Sequence, residues 1–188
     1  MTPTYEEALA LFHDWTTTDS LRRHAYAVEA AMKYYARLFG EDETLWRITG
    51  LLHDMDYEKH PTTVEHPRVG VRRLEDLGYP EEMRQAILGH ATYTGVPRTT
   101  LLARTLFAVD ELSGFITAVA YVRPTRLEGL ISKSVRKKLK DKAFAAAVNR
   151  EDIRTGAEEL EIDLDEHIVN VIAALSADAT RLGLYPSE

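Results

Sequence analysis

The sequence contains no cysteine among its 188 residues. Disulfide bonds, thiolate zinc sites, iron–sulfur clusters and thiol nucleophiles are therefore excluded. The chain also begins, at Met1–Glu7, without the basic and apolar regions of a secretory signal. Both absences are compatible with a cytoplasmic protein, and that is the location we expect.

Long apolar runs and an excess of positive charge are also missing. No apolar stretch approaches the roughly 20 residues needed to cross a bilayer, so we expect no membrane partner. The formal net charge is −7, whereas a protein with an extended nucleic-acid surface normally has a basic one. We find no glycine-rich phosphate loop, internal repeat or low-complexity tract. What remains is an ordinary globular composition, with 45% hydrophobic and 28% charged residues.

Helical periodicity runs through the whole chain, and no alternating strand pattern interrupts it. The length suits one hydrophobic core. The sequence therefore predicts an all-α fold, an irregular helical bundle that forms a single domain over residues 1–188. The helices from about residue 125 onwards are expected to pack as an extension of the same domain.

Capping residues and glycines predict where individual helices begin and end. The predicted N-terminal caps are Thr4 (in a capping box with Glu7), Asp19 or Ser20, Asp42, Asn149 and Asp163. Gly40 is expected to end the second helix. A later helix is expected from about Thr125 past Leu139, followed by a short alanine-rich helix around Phe144.

The stretch Ile48–Asp54 places two residues of metal-ligand type at the end of a helix. Apolar residues recur at helical spacing as far as Leu52, so His53 and Asp54 fall at the carboxyl end. The last carbonyl groups of a helix carry partial negative charge, which favours a cation nearby.

Residues of the same chemical type lie on other helices, on faces that we expect to be buried. His24, His90 and Asp110 each interrupt an apolar stripe, and His66 precedes a proline at the start of another helix. A single histidine on such a stripe is usually a hydrogen-bonded core residue. An unpaired buried aspartate, however, costs on the order of several kcal/mol. A cation shared by His24, Asp110 and the central pair explains the whole set better.

Imidazole and carboxylate ligands without thiolates suit a divalent transition metal, which leaves manganese, iron, nickel, cobalt and zinc open. One metal site is complete with His24, His53, Asp54 and Asp110. If His66 and His90 also bind, Asp54 can bridge two metals about 3.5–4 Å apart. We therefore expect one or two metals per chain.

The same residues resemble the signature of the HD-domain superfamily of metal-dependent phosphohydrolases, which has an early histidine, an adjacent His-Asp pair and a late aspartate. The matching positions are His24, His53, Asp54 and Asp110, and His66-Pro67 and Ile87–His90 look like the extra histidines of binuclear members. Four further blocks look like a small stand-alone subgroup of predicted hydrolases: His53–Lys59, Leu77–Pro80, Ala108–Leu112 and Lys133–Ile153. The resemblance implies a helical bundle of the HD type.

The resemblance also implies a function, the hydrolysis of a phosphomonoester or phosphodiester by a metal-activated water, with nucleotide-like substrates favoured. Some superfamily members with both extra histidines are instead di-iron oxygenases, so that chemistry is the alternative. A third possibility is a catalytically silent ligand-binding module that keeps its metal.

Three carboxylates are candidates for the catalytic machinery. Asp54 is expected to orient and bridge the metals. Asp56 and Glu58, in the loop directly after it, can supply an acid or a base. Both can equally serve as capping or solvated residues of that loop.

Five basic residues are candidate contacts for a small anionic, phosphorylated substrate: Lys59, Arg72, Arg73, Lys133 and Lys137. Arginines on an exposed helix face more often meet only solvent. The basic segment 132–142 is too short for a nucleic-acid surface and lacks the aromatic residues on which bases stack. The remaining histidines, His13, His60 and His167, are left out of the predicted site. No motif indicates the oligomeric state.

Overall fold

The computed structural model describes residues 3–186, and this part of the chain is built from α-helices without a β-strand. The helices are α1 (Tyr5–Trp15), α2 (Asp19–Phe39), α3 (Glu43–Leu52), α4 (Arg68–Asp76), α5 (Glu81–His90), α6 (Leu101–Tyr121), α7 (Ser132–Leu139), α8 (Arg150–Glu159), α9 (Leu164–Ala177) and α10 (Ala179–Leu182). The predicted all-α class is confirmed. Within the described residues, no helix is both long and apolar enough to span a membrane.

The long helices α2 and α6 form the centre of the bundle. Helix α2 packs against α3, α6 and α9, and α6 packs against α5 and α8. Apolar side chains such as Met32 and Tyr35 of α2 and Leu106 and Phe115 of α6 are completely buried between these layers. The C-terminal helices α8 and α9 therefore pack on the same two central helices as the N-terminal part of the chain.

Most of the predicted helix ends are confirmed by the capping geometry. Thr4 forms the capping box with Glu7, and Gly40 ends α2 in the left-handed conformation with φ 73°. The side chains of Asp42, Asn149 and Asp163 each accept hydrogen bonds from the first turn of their helix.

The start of α2 differs from the prediction. Its N-cap is Thr18, which makes no side-chain capping bond. Instead, Glu58 from a distant loop accepts hydrogen bonds from the backbone N–H groups of Thr17, at 2.7 Å, and Thr18, at 3.2 Å. A carboxylate supplied by tertiary contact thus holds the segment that leads into α2, and the predicted capping by Asp19 or Ser20 is wrong.

The predicted helix from about Thr125 is wrong in its first half. Residues 125–131 form turns, and α7 begins only at Ser132. Arg126 and Gly129 have positive φ angles of 52° and 64°, which a continuous right-handed helix cannot contain. Leu127 and Leu130 are nevertheless buried, so their helix-like spacing reflects turns that pack on the core.

The predicted short helix around Phe144 is also wrong, since this segment consists of turns. The guanidinium group of Arg150 donates hydrogen bonds to the backbone carbonyls of Asp141, Phe144, Ala145 and Val148. These carbonyls therefore bind one side chain, and two of them, those of Asp141 and Ala145, also accept turn hydrogen bonds, so that no helical hydrogen-bond ladder forms.

Candidate metal centre

Six residues that lie on, or directly beside, five helices meet at one end of the bundle. His24 lies on α2, His90 is the last residue of α5, and Asp110 lies in the middle of α6. His53 follows the last residue of α3, Asp54 comes next, and His66 precedes α4. The six residues expected to bind metal are thus brought together, and four of them are separated from their neighbours in the set by more than ten residues of sequence.

The close approach of α3 to α2 depends on a glycine. A Cβ atom on Gly50 would lie 2.9 Å from Cγ of Met32 and 3.0 Å from the backbone of Glu29. Only a residue without a side chain allows the two helices to pack this closely. The contact positions the end of α3, and so brings His53 beside His24, with ring centroids 5.3 Å apart.

Asp54 lies between two groups of imidazoles. Its Oδ2 atom is 3.4 Å from Nε2 of His53 and 3.8 Å from Nε2 of His24. Its Oδ1 atom is 3.3 Å from Nε2 of His66 and 3.2 Å from Nε2 of His90. Each carboxylate oxygen of Asp54 therefore faces its own pair of histidines.

Asp110 completes the first of these groups. Its Oδ1 atom lies 3.0 Å from Nε2 of His24 and 3.4 Å from Nε2 of His53. The ligand-type atoms of His24, His53 and Asp110 all lie within 4.8 Å of one another, and so do those of His53, Asp54 and His90.

Hydrogen bonds on the far side of the rings fix three of the imidazoles. Nδ1 of His53 donates to the carbonyl of Gly50 at 2.8 Å, and Nδ1 of His90 donates to the carbonyl of Ile87 at 2.5 Å. Nδ1 of His66 donates to Asp56 at 2.7 Å. With the proton held on Nδ1, each Nε2 atom can present a lone pair to the centre of the cluster.

This donor set fits a divalent cation. Nε2 of His53 is buried and has no hydrogen-bond partner, although it faces the carboxylates of Asp54 and Asp110. A lone pair aimed at carboxylate oxygens is unfavourable unless a cation or a proton lies between them. A divalent metal held among these side chains would give the orphaned nitrogen a partner.

In the metal-free protein, protons replace that cation. Burial opposes charge on His53, but the carboxylates of Asp54 and Asp110 outweigh it and raise the pKa of His53. Burial likewise opposes the charged form of His66, yet Asp54 and Asp56 raise its pKa to about 9. Against the effect of burial, the histidines hold the pKa of Asp54 and of Asp110 below the usual range. Metal binding to this cluster must therefore release protons.

Asp56 supports the cluster from behind. It is almost completely buried, and its Oδ2 atom accepts a hydrogen bond of 2.7 Å from the backbone N–H of Gly70 while Oδ1 binds His66. A Cβ atom on Gly70 would lie 3.1 Å from this carboxyl group. The start of α4 is thus fitted closely around Asp56, and Asp56 in turn orients His66.

A cavity of about 510 Å³ opens over the cluster. It is lined by Asp54, Asp110 and three of the histidines, and also by Tyr57, Tyr93, Glu111, Asn149 and Asp152. Burial, reinforced by the neighbouring Asp110, raises the pKa of Glu111 to about 7, and burial also raises the pKa of Asp152.

Sequence reasoning missed these lining residues. Glu111 directly follows a predicted ligand, and this adjacency was the available signal. Asn149 was recognised only as a helix cap, and nothing in the local pattern of Asp152 distinguishes it from an ordinary residue in the first turn of a helix.

The other predicted site residues lie elsewhere. Oε1 of Glu58 accepts a hydrogen bond from the hydroxyl of Thr17, and Oε2 accepts from the backbone N–H groups of Thr17 and Thr18; these hydrogen bonds lower the pKa of Glu58 to about 2. Lys59 donates to the carbonyl of Asp14 and lies over the ring of Trp15. These contacts tie the loop to α1 and to the start of α2, away from the residues that line the cavity.

The predicted substrate-binding residues on helices are also separate from the cavity. Arg72 and Arg73 are exposed on α4. Lys133 and Lys137 line a different groove, together with Arg136, Lys140 and Asp165. None of the five predicted basic residues is among the cavity-lining side chains in the described part of the chain.

The histidines left out of the prediction have other partners. Nε2 of His13 lies 2.6 Å from the hydroxyl of Tyr26, and Nδ1 of His60 lies 3.1 Å from Glu65. His167 is completely buried, donates through Nε2 to the carbonyl of Ala108, and accepts from the hydroxyl of Tyr35.

Comparison with known proteins identifies one family. The family model described as "HD domain" matches residues 21–114, which is half of the chain. The matched region contains all six residues of the cluster, whereas Asn149 and Asp152 lie outside it. No solved structure matches the chain.

Proposed function

The chain belongs to the HD-domain family, and we propose that it is a metal-dependent phosphohydrolase that acts on a phosphomonoester or phosphodiester. Most members of the family are metal-dependent phosphohydrolases. Nucleotide-like esters, which the sequence resemblance favours, are the first small anionic substrates to be assayed.

The observation that carries this proposal is the arrangement around Asp54. Each of its two oxygens faces a separate pair of imidazoles, at distances of 3.2–3.8 Å. A carboxylate in this position is suited to bridging two cations. We assign the first site to His24, His53, Asp54 and Asp110, and the second to Asp54, His66 and His90.

The cofactor is one or two divalent transition metals, with manganese, iron, nickel, cobalt and zinc as candidates. When bound, such a metal supplies a Lewis acid that lowers the pKa of water and offsets the charge of the phosphoryl oxygens. The chain itself contributes the cavity, which admits the ester, and the fixed imidazoles, which need no reorientation on binding.

We assign Asp56 a positioning role rather than a proton-transfer role. Both of its oxygens already accept hydrogen bonds, from His66 and from Gly70. Its carboxylate holds the proton of His66 on Nδ1 and leaves Nε2 for the metal. Glu58 is similarly occupied by Thr17 and Thr18, and we assign it to anchoring the loop.

The test begins with the metal content of the purified protein. The protein is then assayed for phosphate release from a panel of nucleotides and phosphate esters with added Mn²⁺, Co²⁺, Ni²⁺ or Fe²⁺. Asp54→Ala should abolish both release and metal binding. Asp76→Ala, which changes an exposed aspartate at the end of α4, is the matched control and should retain both.

Two outcomes would contradict the proposal in different ways. If no ester is hydrolysed, while two irons are bound and oxygen uptake depends on substrate, the alternative di-iron oxygenase is correct. If metal is bound but neither reaction occurs, the chain is a catalytically silent module.

Separately, His66→Ala and His90→Ala should each reduce the amount of bound metal, and an unchanged value of one metal per chain would refute the second site.

A further inference from the structure

The carboxyl end of α5, where His90 lies, is held by side chains. A helix leaves its last carbonyl groups without partners in its own hydrogen-bond ladder. Each of the three carbonyl groups that precede His90 accepts a hydrogen bond from a side chain, and the donors are His90 itself, Thr94 and Arg98. Arg98 binds the nearest of these carbonyls, that of Gly89, at 2.9 Å. The backbone that carries His90 is therefore fixed in part by a residue of the following loop.

Arg98 fits closely against this helix end. A Cβ atom on Gly89 would lie 3.1 Å from Cγ of Arg98, which is tighter than ordinary van der Waals contact. A side chain at position 89 would therefore crowd that of Arg98. The guanidinium carbon of Arg98 also lies 3.7 Å from the centre of the Phe107 ring, which is buried on α6. Arg98 thus contacts both α5 and α6.

The same guanidinium group is paired with a helix outside the matched family region. Nε and Nη2 of Arg98 donate to the two carboxylate oxygens of Glu159, at 2.6 and 2.5 Å. Glu159 is the last residue of α8. Only 14% of the Arg98 side chain and 29% of the Glu159 side chain are exposed. A shielded, bidentate pair of this kind is stronger than a single ion pair in open solvent.

Helix α8 is a firm support for this pair, because it packs directly on α6. A Cβ atom on Gly156 of α8 would lie only 2.6 Å from Cα of Ala108, so the two helix backbones are in close contact. A continuous series of contacts therefore runs from α6 through α8 and Arg98 to the carbonyl group beside His90.

Resting on the two-site assignment of the proposed function, we propose that Arg98 is a positioning residue of the second metal site and that Glu159 acts with it. Arg98 acts through the backbone of Gly89, and so holds Nε2 of His90 at its distance of 3.2 Å from Oδ1 of Asp54. The rigid fork of a guanidinium group can donate to Glu159 and Gly89 at once, whereas a lysine has a single nitrogen for both. The C-terminal part of the chain thus helps to build a metal site whose ligands all lie in the matched region.

The test measures the affinity of both metal sites for Mn²⁺ by calorimetry on metal-free protein. Arg98→Lys should weaken the second site about tenfold, the lower end of the effect of losing a group behind a metal ligand, and should leave the first site at its native affinity. Glu159→Gln should weaken the second site by a smaller factor, because the amide keeps one acceptor oxygen for Arg98. The double variant should bind like Arg98→Lys alone, since the two residues act as one unit.

Arg84→Lys is the matched control. Arg84 lies on the same helix and likewise donates to a carboxylate, that of Glu75 at 2.8 Å, and to a backbone carbonyl, that of Tyr79 at 3.2 Å. These contacts lie at the start of α5, at the opposite end from His90. Both metal affinities of Arg84→Lys should therefore be native. Urea unfolding of each metal-free variant, measured in parallel, separates a loss of stability from a loss of metal binding.

Native affinity at both sites in Arg98→Lys would overturn the inference. Equal weakening of both sites would also overturn it, because that result would show a general structural role. A native protein that binds a single metal would overturn the second site and the inference together. If Arg98→Lys does not fold, Glu159→Gln alone decides between these outcomes.

Phosphate release from the ester panel tests the proposed function independently. If both metals bind and Arg98→Lys weakens only the second site, but no ester is hydrolysed, the phosphohydrolase is refuted and the role of Arg98 stands. If esters are hydrolysed and Arg98→Lys has native affinity at both sites, the role of Arg98 is refuted and the phosphohydrolase stands.

Discussion

Replacing Asp56 by asparagine should weaken one metal site and spare the other. The side chain is almost the same size, but an amide has only one acceptor oxygen, whereas Asp56 accepts from both His66 and Gly70 at 2.7 Å. If the amide group faces His66, Nδ1 of that ring must become the acceptor, and its proton moves to Nε2. Nε2 of His66 then has no lone pair for a cation beside Asp54.

The other orientation of the amide is no better. It would direct the NH₂ group at the backbone N–H of Gly70, and two donors in contact in a buried site cost about 1–3 kcal/mol. Loss of a hydrogen-bond partner behind a metal ligand typically lowers metal affinity about 10–100-fold. We therefore expect Asp56→Asn to weaken the site of Asp54, His66 and His90 by this factor, and to leave the site of His24, His53 and Asp110 near its native affinity.

The assay is a titration of metal-free protein with Mn²⁺ by calorimetry, supported by elemental analysis of the bound metal. Glu58→Gln is the control, since it changes a carboxyl group of the same loop that binds Thr17 and Thr18 instead of a histidine. If Asp56→Asn binds Mn²⁺ at both sites with native affinity, the positioning role of Asp56 is refuted. Equal weakening of both sites would show that Asp56 supports the whole cluster rather than His66.

Three further predictions concern stability. Adding Mn²⁺ at about 100 times its Kd should raise the free energy of unfolding by about 2.7 kcal/mol, and unchanged thermal unfolding with and without a chelator would contradict the metal sites. Burial lowers the pKa of His167 to about 4, whereas an unfolded histidine has a pKa of about 6.5. The stability that the neutral, buried His167 contributes is therefore complete above about pH 6.5 and is lost as the pH falls towards about 4. Between pH 7 and pH 5 the lost free energy of unfolding is about 2 kcal/mol. Urea unfolding of the metal-free His167→Gln variant should therefore depend less on pH than that of the metal-free native protein. An equal pH dependence would refute the lowered pKa of His167. Gly156→Ala should lower the free energy of unfolding by about 1–3 kcal/mol, because the new Cβ would lie 2.6 Å from the backbone of Ala108. Gly114→Ala is the control, since its Cβ would meet no atom closer than 3.7 Å, and it should not destabilise the protein. Equal unfolding midpoints of the two variants would contradict the close packing of α8 on α6.

The helical class and many helix ends could be predicted because they depend on nearby residues. A capping side chain such as Asp42 or Asp163 binds the first turn of its own helix, so the signal is complete within a few residues. The predictions failed where a distant side chain binds the backbone instead. Glu58 binds the backbone that leads into α2 from about 40 residues away in sequence, and Arg150 binds the carbonyl groups of the turns around Phe144.

The candidate metal centre also has features that could be predicted from the sequence and features that could not. Periodicity shows which side of a helix is buried, so polar ligands such as His24 and Asp110 on apolar stripes are visible in the sequence alone. The sequence could not show that each oxygen of Asp54 faces its own histidine pair, or that Asp56 orients His66. Those relations depend on how separate helices approach each other.

The sequence by itself determined that the chain is helical and which residue types are available to bind a metal, because both follow from local spacing and chemistry. The tertiary structure alone decided which side chains share the cavity. In the folded chain, Lys133 and Lys137 line a separate groove, whereas Glu111 and Asp152 line the cavity over the cluster. Packing between helices sets such neighbours, and a contact such as that of Gly156 with Ala108 leaves no periodic trace in the sequence.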